Sequence, residues 1–174
     1  SPEDFRDFIQ PLPEPHKARQ TVDQDLIYRR WVELDRWGDF LSPMVWTPGH
    51  LAGTVSWMWY SRIGYETYLM FHQLYLKEAA HFFAYLGEEG RAKNEAVVKA
   101  MQDHQMFPLI YSGEDICANV GPLIRPSILR DTYFPALKRA VEPIIQAGIH
   151  WLWHSDGNIL PIVDDILDCG IDGF

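Results

Sequence analysis

The sequence predicts an α/β protein with parallel strands, and three observations carry that prediction. Short apolar runs alternate with longer stretches whose apolar side chains return at helical spacing. The unit at residues 148–174 repeats this alternation in miniature. It has a strand at 149–154, the loop His154-Ser155-Asp156-Gly157-Asn158, a helix at 159–168 with Ile162, Val163, Ile166 and Leu167 at helical spacing, and a new apolar run at 171–174 after Cys169-Gly170. Finally, strands separated by helices return in the same direction through right-handed crossovers, so the sheet is parallel.

The elements follow in order. Residues 1–22 read as a proline-rich arm or linker, because Pro2, Pro11, Pro13 and Pro15 oppose regular structure; the arm is expected to lie on another surface and to add nothing to the core. The domain proper is 23–174. Its first helix is capped by Asp23 and carries Leu26, Ile27, Trp31, Leu34 and Trp37 up to Gly38. A strand is expected at 40–46, followed by the loop Thr47-Pro48-Gly49-His50-Leu51-Ala52-Gly53. Helical segments then present Trp57, Trp59, Tyr60, Tyr68, Phe71, Leu74 and Tyr75, mostly as core filler. A long helix spans 77–105, with a break expected near Gly87 or Gly90. The next strand, 107–112, runs into Gly113-Glu114-Asp115. Pro126 opens a helix at the first-turn position where proline is tolerated, and Pro135 and Pro143 are expected to kink or divide it.

Composition narrows the function classes. Hydrophobic residues make up 47% and charged residues 22%, with no apolar run long enough to cross a bilayer, and no signal peptide is expected. A net charge of -9 opposes broad nucleic-acid binding, and the cluster Arg125, Arg130, Lys138 and Arg139 reads as a solvated helix face. Two cysteines, Cys117 and Cys169, lack metal-ligand spacing and read as buried spectators, with a reducing cytoplasm as the default compartment. Glycine-rich phosphate loops, nucleophile elbows and dinucleotide fingerprints are absent.

The run at 171–174 leaves an apolar edge, which compact domains normally cover, so a portion of a larger parallel domain is expected; a barrel and an open sheet both fit this pattern. In either, ligands gather past the carboxyl ends of the strands. His50, Glu114, Asp115, His154 and Asp156 all fall there, with His50, Gly113 and Asn158 as candidate substrate contacts. Carboxylates and imidazoles converging from neighbouring strands bind a divalent ion or pair as general acid and base. The structural alternatives are that Asp156 caps the following turn and that Glu114 or Asp115 satisfies a buried Arg or amide. His150 is expected to pack within the sheet, Trp151 and Trp153 against outer helices, and His16, His72, His81 and His104 to lie on the arm or on helix surfaces.

From about Phe40 onward the chain resembles the uroporphyrinogen decarboxylase superfamily. The resemblance rests on Gly113-Glu114-Asp115, Gly121-Pro122-Leu123-Ile124-Arg125-Pro126, Tyr133-Phe134-Pro135-Ala136-Leu137-Lys138-Arg139, His154-Ser155-Asp156-Gly157-Asn158, and Asp165-Ile166-Leu167 through Gly170-Ile171-Asp172, in that order. It implies a portion of a (β/α)8 TIM barrel, its middle and later strands, with parallel strands and outer helices. The His-Ser-Asp-Gly loop is similar to the methyltransferase-like branch, which implies a small methylated substrate or a methyl group on a corrinoid carried by a partner protein. Zinc in that branch is held by the matching His and by a Cys two residues later. Here His154 matches, Asp156 stands in place of the Cys, and a later Cys ligand is expected beyond Phe174; the placement past the strand ends, apart from the resemblance, makes Glu114 the expected metal ligand beside His154 and Asp156. Decarboxylation of a porphyrinogen or another acidic small molecule is the alternative; Trp57 then falls where that branch has a Tyr, and its indole offers no phenolic proton. A non-catalytic barrel that binds a small ligand or a partner is the remaining reading.

Overall fold

The computed structural model describes residues 1–41, 53–55 and 57–174. Its sheet is parallel where the sequence predicts it. Strand β1 (Leu109–Gly113) pairs with strand β4 (His150–His154) in a register that sets Leu109 opposite His150 and Gly113 opposite His154. The final run adds one parallel bridge, Leu152 to Gly173, reinforced by the Trp153 N–H donating to the Gly173 carbonyl at 2.8 Å. Of the strand expected at 40–46, residues 40 and 41 instead end a helix, and the rest lies outside the described residues. A short antiparallel hairpin of β2 (Cys117–Ala118) and β3 (Gly121–Pro122) follows β1; the sequence reading did not foresee it.

Side chains alternate across the sheet, as period-two geometry requires. Ile110 and Ser112 of β1 and Trp151 and Trp153 of β4 are buried against the helical layer, while Leu109, Tyr111, Gly113, His150, Leu152 and His154 occupy the more open face. The expectation that His150 packs within the sheet is therefore corrected. Its ring is exposed, and Nδ1 donates to Asp172 at 2.5 Å, tying the last bridge to β4. Because a hydrogen bond to His150, first of all, stabilises its ionised form, the Asp172 carboxyl is held below the usual range.

The helical layer is built on α5 (Leu76–Asp103) and α6 (Pro126–Gln146). No break interrupts α5 at Gly87 or Gly90. Both are buried at its contact with α6, where a Cβ on Gly87 would lie 2.8 Å from the Ala136 carbonyl oxygen and one on Gly90 3.0 Å from the Ala140 side chain. These glycines admit a neighbour rather than stop the helix. Buried Asn94 completes the junction: its side chain accepts the Gly53 N–H and donates to the carbonyls of Gly53 and Ala140. Pro126 takes the first turn of α6 as predicted, yet Pro135 and Pro143 sit inside that helix without dividing it.

The largest correction concerns the arm. Residues Pro2–Ile9 form α1, started by a Ser1/Asp4 capping box with Pro2 in the first turn. Phe5 and Ile9 are core residues, and Phe5 meets Phe71 edge-on at 4.9 Å. A 3₁₀ segment, Pro15–Thr21, follows, and its Arg19 enters a closed ring of ion pairs. Arg19 meets Glu95 at 2.5 Å and Glu88 at 3.8 Å, Arg139 joins Glu88 to Glu142, and Arg91 joins Glu142 back to Glu95. The arm does lie on another surface, but as folded structure. Helix α2 (Gln24–Leu41) then begins as expected, with Asp23 accepting the Leu26 N–H at 2.9 Å.

The aromatic segment forms α3 (Tyr60–Ile63) and α4 (Tyr65–Leu74). The helix expected at 159–168 is a 3₁₀ turn, Leu160–Ile162, followed by α7 (Val163–Asp168), and Leu167 on it is exposed rather than packed. Among the described residues no helix is long and apolar enough to cross a membrane.

Candidate metal centre

The candidate centre is built where β1 and β4 end side by side. Gly113 is required there because a Cβ would come 1.7 Å from the His154 carbonyl oxygen. Its visible task is close strand approach. One residue later, the Glu114 N–H donates to that carbonyl at 3.0 Å, extending the pairing past the strand end.

Beyond this point Asp115 turns toward the loop after β4. Its Oδ1 accepts the Asp156 N–H at 3.0 Å and lies 3.8 Å from His154 Nε2; Asp156 Oδ1 is 3.6 Å from the same nitrogen. One ligand atom from each of Asp115, His154 and Asp156 lies within 4.8 Å of the others. Tetrahedral ligands at ~2.0 to 2.1 Å from zinc are roughly 3.3 Å apart, so the trio needs only small side-chain movement to hold an ion. Two carboxylates and one imidazole make a hard, oxygen-rich donor set.

The loop that carries His154 and Asp156 is shaped by its neighbours. Gly157 has φ +84°, in the left-handed region glycine tolerates, and a Cβ there would meet the Ala118 carbonyl oxygen at 2.6 Å. Asn158 donates its N–H to Ala118 at 2.9 Å and accepts the Leu160 N–H on its side chain at 3.1 Å. Asn158, rather than Asp156, is thus the turn-capping residue. This leaves the exposed Asp156 carboxylate to face His154.

Glu114, the expected metal ligand, is not part of the trio. Alternation carries it to the buried side with Ile110 and Ser112, where it is 6% exposed and accepts a hydrogen bond from the Thr54 hydroxyl. Burial, helped by the Glu114 charge, pushes the Tyr68 and Tyr133 phenols well above their ordinary range. Asp115 lies beside His154 and Asp156 instead. His50 lies outside the described residues.

Trp57 is fully buried within the helical layer, between the edges of Tyr68 and Tyr133. His72, expected on a helix surface, is also fully buried there, parallel to Phe83 with ring centroids 5.0 Å apart. Burial alone drives its imidazole down to about 3, so it stays neutral. Both cysteines are free and buried, and burial pushes the Cys117 thiol up to about 11 and the Cys169 thiol up to about 12, in keeping with spectator roles. One neighbour of the centre escaped the sequence reading: Tyr111, whose ring centroid is 6.0 Å from that of His154. Its place two residues before Gly113, on the same strand face, was the available signal.

No family model, no curated protein and no solved structure matches this chain.

Proposed function

We propose that this chain is the middle and later portion of a (β/α)8 barrel enzyme of the uroporphyrinogen decarboxylase superfamily, in its methyltransferase-like branch. Its Asp115, His154 and Asp156 would hold a divalent metal beside a small methylated substrate or a methyl group borne on a partner's corrinoid. The observation that carries the reading is the convergence of these three side chains at the carboxyl ends of two adjacent parallel strands, with ligand atoms within 4.8 Å. The barrel reading is supported by a parallel pair that, among the described residues, buries one face against helices and leaves the other more open, the two-sidedness a barrel wall also has.

When bound, the metal supplies Lewis-acid polarisation of a ligand. The residues do the rest. His154 presents an imidazole nitrogen from the end of β4, and Asp115 fixes the loop that presents Asp156. With Asp156 in place of a thiolate, the donor set favours oxygen or nitrogen ligands over sulfur. Decarboxylation gains no support from Trp57, which is fully buried and has only an indole donor.

The test is turnover by the full-length protein with zinc and methylcobalamin, followed by loss of the methyl–cobalt absorbance with thiol and amine acceptors supplied. Zinc-dependent turnover that disappears in His154→Ala, with circular dichroism unchanged, is the expected result. Carbon dioxide release from a porphyrinogen instead would replace it with the decarboxylase reading. Neither turnover nor zinc binding would leave a non-catalytic barrel.

A further inference from the structure

We infer that Tyr111 forms, beside His154, a ligand subsite on the open face of the sheet and donates a hydrogen bond from its phenol to an oxygen atom of a small ligand; this rests on the metal-centre reading above. Parallel register places Tyr111 opposite Leu152 and Gly113 opposite His154, so all four residues belong to one sheet face. Gly113 adds no side chain to that face. The Tyr111 ring therefore approaches His154 diagonally, with centroids 6.0 Å apart and planes tilted by 54°.

Successive residues on one strand face are roughly 7 Å apart, and strand side chains lean along the strand, so a tyrosine two residues below the strand end brings its hydroxyl toward the level of the end loops. Tyr111 is half-buried, which holds the ring, and its hydroxyl has no hydrogen-bond partner among the described residues. Tyr68, Tyr133 and Tyr60 do not combine these properties. Tyr68 and Tyr133 are fully buried on the helical side of the sheet, and Tyr60 is buried and stacked on Tyr65 with ring centroids 4.2 Å apart.

The chemistry of the face defines the ligand. Two carboxylates balance a divalent ion, so a neutral or singly charged molecule is accommodated without a large excess charge. Tyr111 supplies a donor, and its neighbour Leu152 supplies an apolar floor. The ligand class is a small molecule with an acceptor oxygen next to a short alkyl group.

The test is calorimetric titration of acetohydroxamate into the zinc-saturated full-length protein. Tyr111→Phe should bind the probe about tenfold more weakly, the loss of one hydrogen bond, while zinc affinity is unchanged. Tyr68→Phe, on the other side of the sheet, should bind it like the wild type. Equal probe affinity in wild type and Tyr111→Phe, with zinc bound in both, overturns the subsite alone. A fall in zinc affinity in Tyr111→Phe overturns it in favour of a structural role. Failure of the wild type to bind zinc removes the metal centre and the subsite together.

Discussion

The Asp115 carboxylate accepts the backbone N–H of Asp156 at 3.0 Å, so the end of one strand fixes the loop that follows its neighbour. Asp115 thus serves the centre twice, as a candidate ligand and as the anchor of a second one. The two roles separate by substitution. Asp115→Asn keeps an acceptor oxygen but removes the charge, and is expected to change stability by less than about 0.5 kcal/mol while zinc affinity falls at least about tenfold. Asp115→Ala removes both and is expected to cost a further ~1 kcal/mol of stability. Thermal melts paired with zinc titrations check this; equal zinc affinity in Asp115→Asn and wild type would remove Asp115 from the ligand set.

His72 makes stability depend on pH in a defined direction. Its folded-state value of about 3 lies below the ordinary 6.5, so between these limits the unfolded chain binds more protons. Its contribution to stability is intact above 6.5 and is lost as pH falls toward 3, at about 1.4 kcal/mol per pH unit. His72→Phe keeps a ring in the stack and removes the titration. Urea melts between pH 7 and 4.5 should be flatter for the variant by this amount, and parallel curves would show that His72 does not titrate as described.

Gly87 offers a test of packing against propensity. Gly→Ala in an exposed helix gains roughly 1 kcal/mol, but here the added Cβ would meet the Ala136 backbone at 2.8 Å. Gly87→Ala is therefore expected to lower stability by about 1 to 3 kcal/mol. A higher melting temperature would mean that α5 and α6 can part at that point.

The closed ring of Arg19, Glu88, Arg139, Glu142, Arg91 and Glu95 couples the N-terminal segment to α5 and α6. Isolated surface pairs contribute about 0 to 1 kcal/mol, whereas networks with partly buried members contribute more. Arg91 is 18% exposed and Lys99, which pairs with Asp103, is 67% exposed. Arg91→Ala should cost more than Lys99→Ala, and the difference should shrink between 0.05 and 0.5 M salt, concentrations that span about 14 to 4 Å of screening length. Equal costs at both salts would reduce the ring to solvated pairs.

Several parts of this architecture are legible in the sequence because one local rule decides them. Apolar runs stopping at Gly113 and at the His154 loop mark β1 and β4, and Asp23 marks the start of α2. The N-terminal segment is misread because proline is treated as a breaker, although Pro2 and Pro15 occupy first-turn positions and Phe5 and Ile9 stand four apart on one helix face. Gly87 and Gly90 are misread for a related reason: sequence does not distinguish a glycine that ends a helix from one that admits another helix. At the centre, His154 and Asp156 follow from strand polarity. Choosing Asp115 over Glu114 requires counting by two from Ile110, which sends Glu114 inward. His72 carries a readable signal too, since it follows Tyr68 by four residues on a face shared with Phe71 and Tyr75, but only the packed structure reveals which helix faces are covered.

The most direct measurement of the central claim is calorimetric titration of zinc into the full-length protein, its His154→Ala variant and its Asp156→Cys variant. The account predicts one bound zinc in the wild type, affinity lowered more than about tenfold in His154→Ala at unchanged fold, and tighter binding in Asp156→Cys, where a thiolate replaces a carboxylate. Wild type and His154→Ala binding zinc alike, or neither binding it, would contradict a metal centre at Asp115, His154 and Asp156.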